Sequence, residues 1–274
     1  MSDTMQLARC PIVVGVNVDV ESIDQANAGR AGLFGRYSYG RYGAREGIWR
    51  LFAVFAELDI RATFFVAPGD LERHPELLAG MRDGDHEIAV RGQVCTDPAS
   101  PARIDSLATD REAIMRLAGV TPRGWRAMNG LLDESTLPAL AAAGYRYDSS
   151  FKDDDNPYVM ANSDGLTLVE LPVCDYLSDA PFYAHRHTHE RVFKAWEEEA
   201  DAQYRAGGYV NLTLHTRGDI GTVRLPQVHR LAAFLRNLKS LPGVRFYRAI
   251  DLADVWTQVH AEREPFPSVP KPRV

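Results

Sequence analysis

An α/β barrel of parallel strands is the fold class this sequence predicts, and three observations carry it. Short β-branched or aromatic runs alternate with amphipathic helical segments along the chain. That alternation implies parallel pairing through crossover connections. Seven or eight such units suggest a closed or nearly closed barrel rather than an open doubly wound sheet, and no GxGxxG follows the first strand to argue for dinucleotide binding.

The elements follow in order. Residues 11–20 (PIVVGVNVDV) read as a buried parallel strand. The Gly/Tyr/Arg-rich stretch 28–47 is too long for a simple turn and reads as a functional loop. Helical spacing of Ile48, Leu51, Phe52, Phe55 and Leu58 predicts a helix over 47–58. Strands are predicted at 61–68, 86–92, 124–128, 145–150, 167–173, 209–216 and 244–250, with helices at 75–82, 100–117, 133–144, 188–206, 225–240 and 251–261 between and after them. Pro75 suits a helix start and Gly144 a helix end. The economical division is one domain over 1–264 and an extended proline-rich tail, PFPSVPKPRV, over 265–274.

Composition narrows the function classes. The 274 residues carry 31 Lys+Arg against 37 Asp+Glu, a formal charge of −6. Such a surface argues against nucleic acid or an anionic membrane as partner, since both select clustered positive charge. The three cysteines cannot form a paired framework. No apolar stretch of about 18 residues and no leader pattern is visible, so the expected location is the cytoplasm and the expected partner a small-molecule substrate. The tyrosine-rich 28–47 segment is a candidate contact between copies of the chain in a homo-oligomer.

In a parallel barrel the C-terminal strand ends form the active face. Strand one ends with Asn17, Asp19 and Glu21, which alternate and so share one side of a regular strand. Strand three ends with Arg91, Gln93 and Cys95; strand four carries Trp125 and Arg126; strand five ends at Asp148 ahead of Asp153, Asp154 and Asp155; the late strand ends at His215. A carboxylate, two arginines and a histidine converging on one face would make an electrostatic site. Cys95 reads either as a small buried residue or, beside Arg91, as a low-pKa nucleophile. The cluster HRHTH (185–189) reads either as three imidazoles on one strand face, able to hold Zn²⁺, or as the approach to a helix capped by Thr188. Neither HExxH nor CxxC is present.

The landmarks GVNVDVES (15–22), RATFFVAP (61–68), DHEIAVRGQVC (85–95), GWRAMNG (124–130), GYRYDSSFKDDDNPY (144–158), LVELPV (168–173) and NLTLH (211–215), in this order, resemble the NodB-type polysaccharide deacetylases over nearly the whole chain. The resemblance implies a distorted (β/α)7 barrel. In metal-dependent members strand one supplies an aspartate base and an aspartate metal ligand, an HGxxH pair on strand three completes a zinc-like site, and a late-strand histidine is the general acid. Here the base position is Asn17, the ligand aspartate is Asp19, and the HGxxH pair is Arg91-Gly92-Gln93-Val94-Cys95. The late histidine is His215, and the arginine motif keeps Arg126 but has Met128 where proline is usual. A guanidinium beside Asp19 would repel a divalent cation and pair with the carboxylate itself. The segments 38–58 and 73–80 are similar to the cyclic-imide hydrolase and bacterial allantoinase branch, whose members open the ring C–N bond of small cyclic amides or ureides.

The expectation is therefore a hydrolase of a non-peptide C–N bond in a small cyclic amide, without a tightly bound metal. His215 would be the general acid/base, as the ordinary titration range of histidine allows. Asp19 would orient water or a substrate N–H, or serve as base if its pKa were raised. Arg91 and Arg126 would stabilise an oxyanion or grip a substrate carboxylate. Asn17, Glu21, Tyr39, Cys95, Trp125, Asp154 and Asp155 would line or gate the pocket. The alternatives are a catalytically inactive binding pseudoenzyme, a repurposed lyase, epimerase or cyclase, and a zinc-dependent carbohydrate N-deacetylase.

Overall fold

The computed structural model describes residues 7–24, 35, 37–92, 104–128, 130, 132 and 134–267. Parallel strands β1 (Cys10–Val18), β2 (Thr63–Val66), β3 (Glu87–Arg91), β4 (Gly124–Arg126) and β5 (Tyr147–Asp148) follow one another around a curled sheet. Strand β6 (Tyr158–Ala161) forms an antiparallel hairpin with β7 (Thr167–Glu170), and β7 pairs in parallel with β5. Strand β8 (Val210–His215) closes on the other side of β1, and β9 (Val244–Tyr247) pairs with the start of β1. Seven strands, β8-β1-β2-β3-β4-β5-β7, thus form an incomplete (β/α) barrel. The β6 hairpin strand was absent from the sequence expectation.

The seam between β7 and β8 lacks a strand ladder and is stitched by the Asn211 side chain and one isolated backbone bridge. Asn211 Nδ2 donates to the carbonyls of Leu171 (3.2 Å) and Pro172 (2.9 Å), and Ser178 bridges Thr213. A last strand, β10 (Glu264–Pro265), pairs with β6, and Phe266 packs against the core, so the domain takes in the start of the proline-rich tail.

Period-two alternation explains the two faces of the sheet. On β1, Ile12, Val14, Val16 and Val18 join the large outer core with Leu51 and Phe55 of helix α2 (Ile48–Leu58). The opposite parity puts Val13 inside the barrel, where Phe65, Ala89, Tyr147, Val169 and Tyr209 fill the bottom. Helix α10 (Ala249–Val259) plugs that end with Leu252 and Trp256. The same inward rows become polar toward the strand C-termini, with Asn17, Arg91, Arg126, Thr213 and His215. Gly15 lies between these layers, and a methyl group there would sit 2.9 Å from Arg126 Nη1 and 3.2 Å from the Phe65 ring. Only glycine leaves room for a guanidinium across the barrel at that level.

The expected loop 28–47 differs from the structure over its described part. Helix α1 (Tyr37–Tyr42) runs through a π turn (Gly43–Gly47) directly into α2. A methyl at Gly47 would sit 2.4 Å from the Thr216 carbonyl, so close packing on the segment after β8, which has no local sequence signal, fixes this helix. Residues 25–34 and 36 lie outside the described residues. Short helices α3 (Pro68–Arg73) and α7 (Asp179–Ala184) were also unanticipated, whereas α4 (Leu77–Asp83), α5 (Ile104–Ala118), α6 (Thr136–Ala142), α8 (His189–Ala206) and α9 (Leu225–Lys239) follow the predicted helical segments.

Candidate active site

A cavity of about 240 Å³ opens at the C-terminal ends of the barrel strands. Its inner wall is Asn17 of β1, Arg91 of β3, Arg126 of β4, Thr213 and His215 of β8, and Ser149 beyond β5. Met128, Val173, Cys174 and Pro181 supply apolar lining, and Lys152, ion-paired to Asp175 at 2.7 Å, stands at an exposed position in the wall.

Asp19 and Arg91 form a bidentate buried pair, Nε to Oδ1 at 3.0 Å and Nη2 to Oδ2 at 3.2 Å. Arg91 also donates to the carbonyls of Ala127 (2.7 Å) and Met128 (3.0 Å). Burial alone would raise the Asp19 pKa, but the Arg91 guanidinium and then His215 outweigh it and hold the carboxyl below its ordinary range. Asp19 therefore does not meet the condition, a raised pKa, under which it was expected to act as a base.

A second chain of contacts crosses the pocket. Arg126 Nη1 donates to Asn17 Oδ1 at 3.2 Å, and Asn17 Nδ2 donates to His215 Nε2 at 3.0 Å. His215 Nδ1 lies 2.6 Å from Asp179 Oδ1. Each link orients the next. Arg126 has only donors, so Asn17 must turn its oxygen to it and its amide nitrogen to His215. Nε2 is then the acceptor, and Nδ1 carries the proton given to Asp179. The other Asp179 oxygen accepts from the backbone N–H of His215 (3.0 Å) and of Thr222 (2.8 Å). Asp179 is buried on α7 and was not foreseen; its signal, an acidic residue before proline at a helix start (SDAP, 178–181), is common to many structural helix ends.

Other expected site residues stand elsewhere. Strand β1 ends at Val18 and the chain turns, held by Asp70, which accepts from the N–H groups of Glu21 (3.2 Å) and Ser22 (3.0 Å). Strand alternation therefore stops short of Glu21, which pairs with Arg73 at 3.3 Å outside the cavity. Tyr39 lies on α1, where its carbonyl accepts from Gly218 at 3.2 Å, and it does not line the cavity. Trp125 is adjacent to Arg126 on β4 and so faces the other side of the sheet, in the outer core. Asp154 caps the Asn156 N–H at 2.8 Å on an exposed turn, and Asp155 is exposed beside it; neither reaches the cavity. Gln93 and Cys95 lie outside the described residues.

Two carboxyls support the wall from behind. Asp148 and Glu170 are direct cross-strand partners on β5 and β7, and both are wholly buried. Ser150 Oγ donates to Asp148 Oδ1 (2.8 Å), while the N–H groups of Ser150 and Phe151 donate to Glu170 Oε1 (each 3.0 Å). The remaining oxygens, Asp148 Oδ2 and Glu170 Oε2, have no donor, which suits a proton shared between the two carboxyls. Burial drives both pKa values up, Asp148 to about 6. The folded state thus holds a proton that unfolded carboxyls release near pH 4. Its stabilisation is complete below that point; Asp148 gives up its part as pH rises through about 6, while Glu170, raised further by burial and by Asp148, keeps its proton beyond that. Urea unfolding is expected to weaken across this window by up to about 1.4 kcal/mol per pH unit for one proton. E170Q, whose amide can donate to Asp148, is expected to flatten that slope; an unchanged slope would remove the shared proton.

The donor set does not fit a divalent cation of the kind the superfamily resemblance implies. Asp19, held behind the inner wall by Arg91, has both its oxygens bound by that guanidinium, Asp175 in the cavity lining is ion-paired to Lys152, and Asp179 is taken up by His215 and two backbone N–H groups. Among the described residues no group of three His, Cys, Asp or Glu side chains is arranged to hold a metal. The HRHTH cluster begins a helix: Thr188 Oγ1 accepts from the Arg191 N–H at 3.3 Å, and His185 Nδ1 contacts the Pro181 carbonyl at 2.8 Å. No helix among the described residues is long and apolar enough to cross a membrane.

Comparison with known proteins gives a consistent fold. The family model described as "Polysaccharide deacetylase" matches residues 38–147. A peptidoglycan deacetylase of Helicobacter pylori is 23% identical over 286 aligned positions, spanning 89% of this chain and 95% of that protein. A Mycobacterium smegmatis structure assigned to the polysaccharide deacetylases superposes with a TM-score of 0.84 at 28% identity, over 97% of this chain and 96% of that one. An allantoinase structure gives a TM-score of 0.82 at 22% identity, covering 96% of this chain and 94% of its own.

Proposed function

With the fold of the NodB-type polysaccharide deacetylase superfamily as the premise, we propose that this chain hydrolyses a non-peptide C–N bond in a small cyclic amide without a bound metal. The observation that carries the proposal is the Asp19–Arg91 pair, closed at 3.0 and 3.2 Å, beside a histidine already oriented by Asp179 at 2.6 Å. It leaves acid–base catalysis by His215 as the chemistry the wall can supply. The cavity of about 240 Å³ is smaller than the roughly 300–1,000 Å³ of pockets for drug-sized ligands, which favours a compact ring over a polymer. The likeness to an allantoinase points to the same substrate class.

In this mechanism His215 Nε2 accepts a proton from the attacking water as the new C–O bond forms. The positive charge that develops on the imidazole is stabilised by Asp179, and the oxyanion by the guanidinium of Arg91. The ring C–N bond then breaks, and Nε2 returns the proton to the leaving nitrogen. Asp19 keeps Arg91 in place and does not itself exchange a proton.

The test is turnover by the purified full chain on succinimide, hydantoin and dihydrouracil, and on an acetylated glucosamine oligomer, with and without chelator. Ring opening of a cyclic substrate, unchanged by chelator and lost in H215A, is expected. Deacetylation only on addition of a divalent metal would overturn the proposal, as would binding without turnover of any compound.

A further inference from the structure

Arg126 is a buried guanidinium whose hydrogen-bond partners are all neutral. Nε donates to the Ser149 carbonyl (2.8 Å), Nη2 to Ser149 Oγ (2.7 Å), and Nη1 to Asn17 Oδ1 (3.2 Å) and Thr213 Oγ1 (3.5 Å). Its other compensation is the Phe65 ring, 3.9 Å from the guanidinium carbon. The two other buried arginines among the described residues have carboxylates in contact: Arg91 has Asp19, and Arg217 has Asp24 at 2.8 Å and Asp219 at 3.1 Å. Lys152 is answered by Asp175. The Asp179 charge lies beyond Asn17 and His215 and is satisfied by three donors of its own. Arg126 alone among these cations lines the cavity without a carboxylate in ion-pair contact among the described residues.

A buried charge with no carboxylate in contact is costly, and burial together with the nearby Arg91 charge, outweighing the attraction of the more distant Asp148, already depresses the Arg126 pKa to about 10. An incoming anion relieves that cost. The Nη1 edge is the place for it, because its two bonds are the longest Arg126 makes and both go to side chains of the cavity wall. We propose that the cavity takes a ligand bearing a carboxylate, seated on Arg126, so that the cyclic amide hydrolysed here carries an acidic substituent. The second half of that statement rests on the hydrolase reading; the anion seat does not. A carboxylate that takes over Nη1 also releases Asn17 Oδ1, and with it the amide that occupies His215 Nε2 in the unliganded protein. Seating the anion and exposing the base are then one event.

Calorimetric titration of the full chain with succinate and with uncharged succinamide tests the seat without reference to turnover. Wild type is expected to bind succinate at least tenfold more tightly than succinamide. R126Q is expected to bring that ratio to within twofold of one, and R126K, which keeps the charge but loses the planar fork, to an intermediate value. If R126Q does not fold, the wild-type ratio and R126K decide. A wild-type ratio near one, no binding of either compound, or a tenfold ratio that persists in R126Q or R126K overturns the seat. Charge discrimination without hydrolysis of any cyclic amide leaves the seat standing and removes the hydrolase. Hydrolysis of charged and neutral rings at equal kcat/KM does the reverse.

Discussion

Asp179→Asn is expected to leave a folded protein whose turnover is about 10²–10⁴-fold lower, the usual contribution of a positioned acid–base group. The reason lies in the partners of Asp179. One oxygen faces two backbone N–H groups, from His215 and Thr222, and the other faces His215 Nδ1. An asparagine must turn its oxygen toward the two fixed backbone donors. Its NH₂ then faces Nδ1 and forces that nitrogen to accept. The ring proton moves to Nε2, where it meets the Asn17 amide, and the basic lone pair is no longer on the cavity side. Nitrogen-15 NMR of the histidine ring should report the change of tautomer, and kcat should fall while the unfolding midpoint moves little. A variant with the same tautomer and wild-type turnover would remove the dyad from the mechanism.

Arg91→Met is expected to cost stability rather than only activity. It strands the Asp19 carboxylate, wholly buried, without the cation that answers it. Breaking such a pair from one side typically costs about 3–5 kcal/mol. His215 Nε2, 3.8 Å from Asp19, is too distant to replace two guanidinium hydrogen bonds. The double variant R91M/D19L should recover much of the loss, since removing both charges removes the desolvation penalty as well. Urea unfolding of the two single variants and the double variant measures this directly. Additive losses would show that the two side chains act independently.

The strand alternation that predicts the barrel could be read locally, because hydrophobic periodicity is a property of neighbouring residues. It placed Asn17, Asp19, Arg91, Arg126 and His215 at strand ends, and the structure brings Asn17, Arg91, Arg126 and His215 to the cavity wall with Asp19 bound to Arg91 behind it. The same rule, applied more strictly, separates Trp125 from Arg126: adjacent strand residues cannot face the same side. It could not place Glu21, because the turn after Val18 is made by Asp70, which is distant in sequence.

What the sequence determines by itself is the order of elements and the polar character of the strand ends, both consequences of residue type and short-range spacing. The tertiary structure decides which charges meet. Asp19 finds Arg91 72 residues away, His215 finds Asp179 36 residues away, and Arg126 is left hydrogen-bonded only to neutral groups. Charge pairing depends on distance through the folded barrel, and barrel closure brings together positions between which the chain carries no periodic signal.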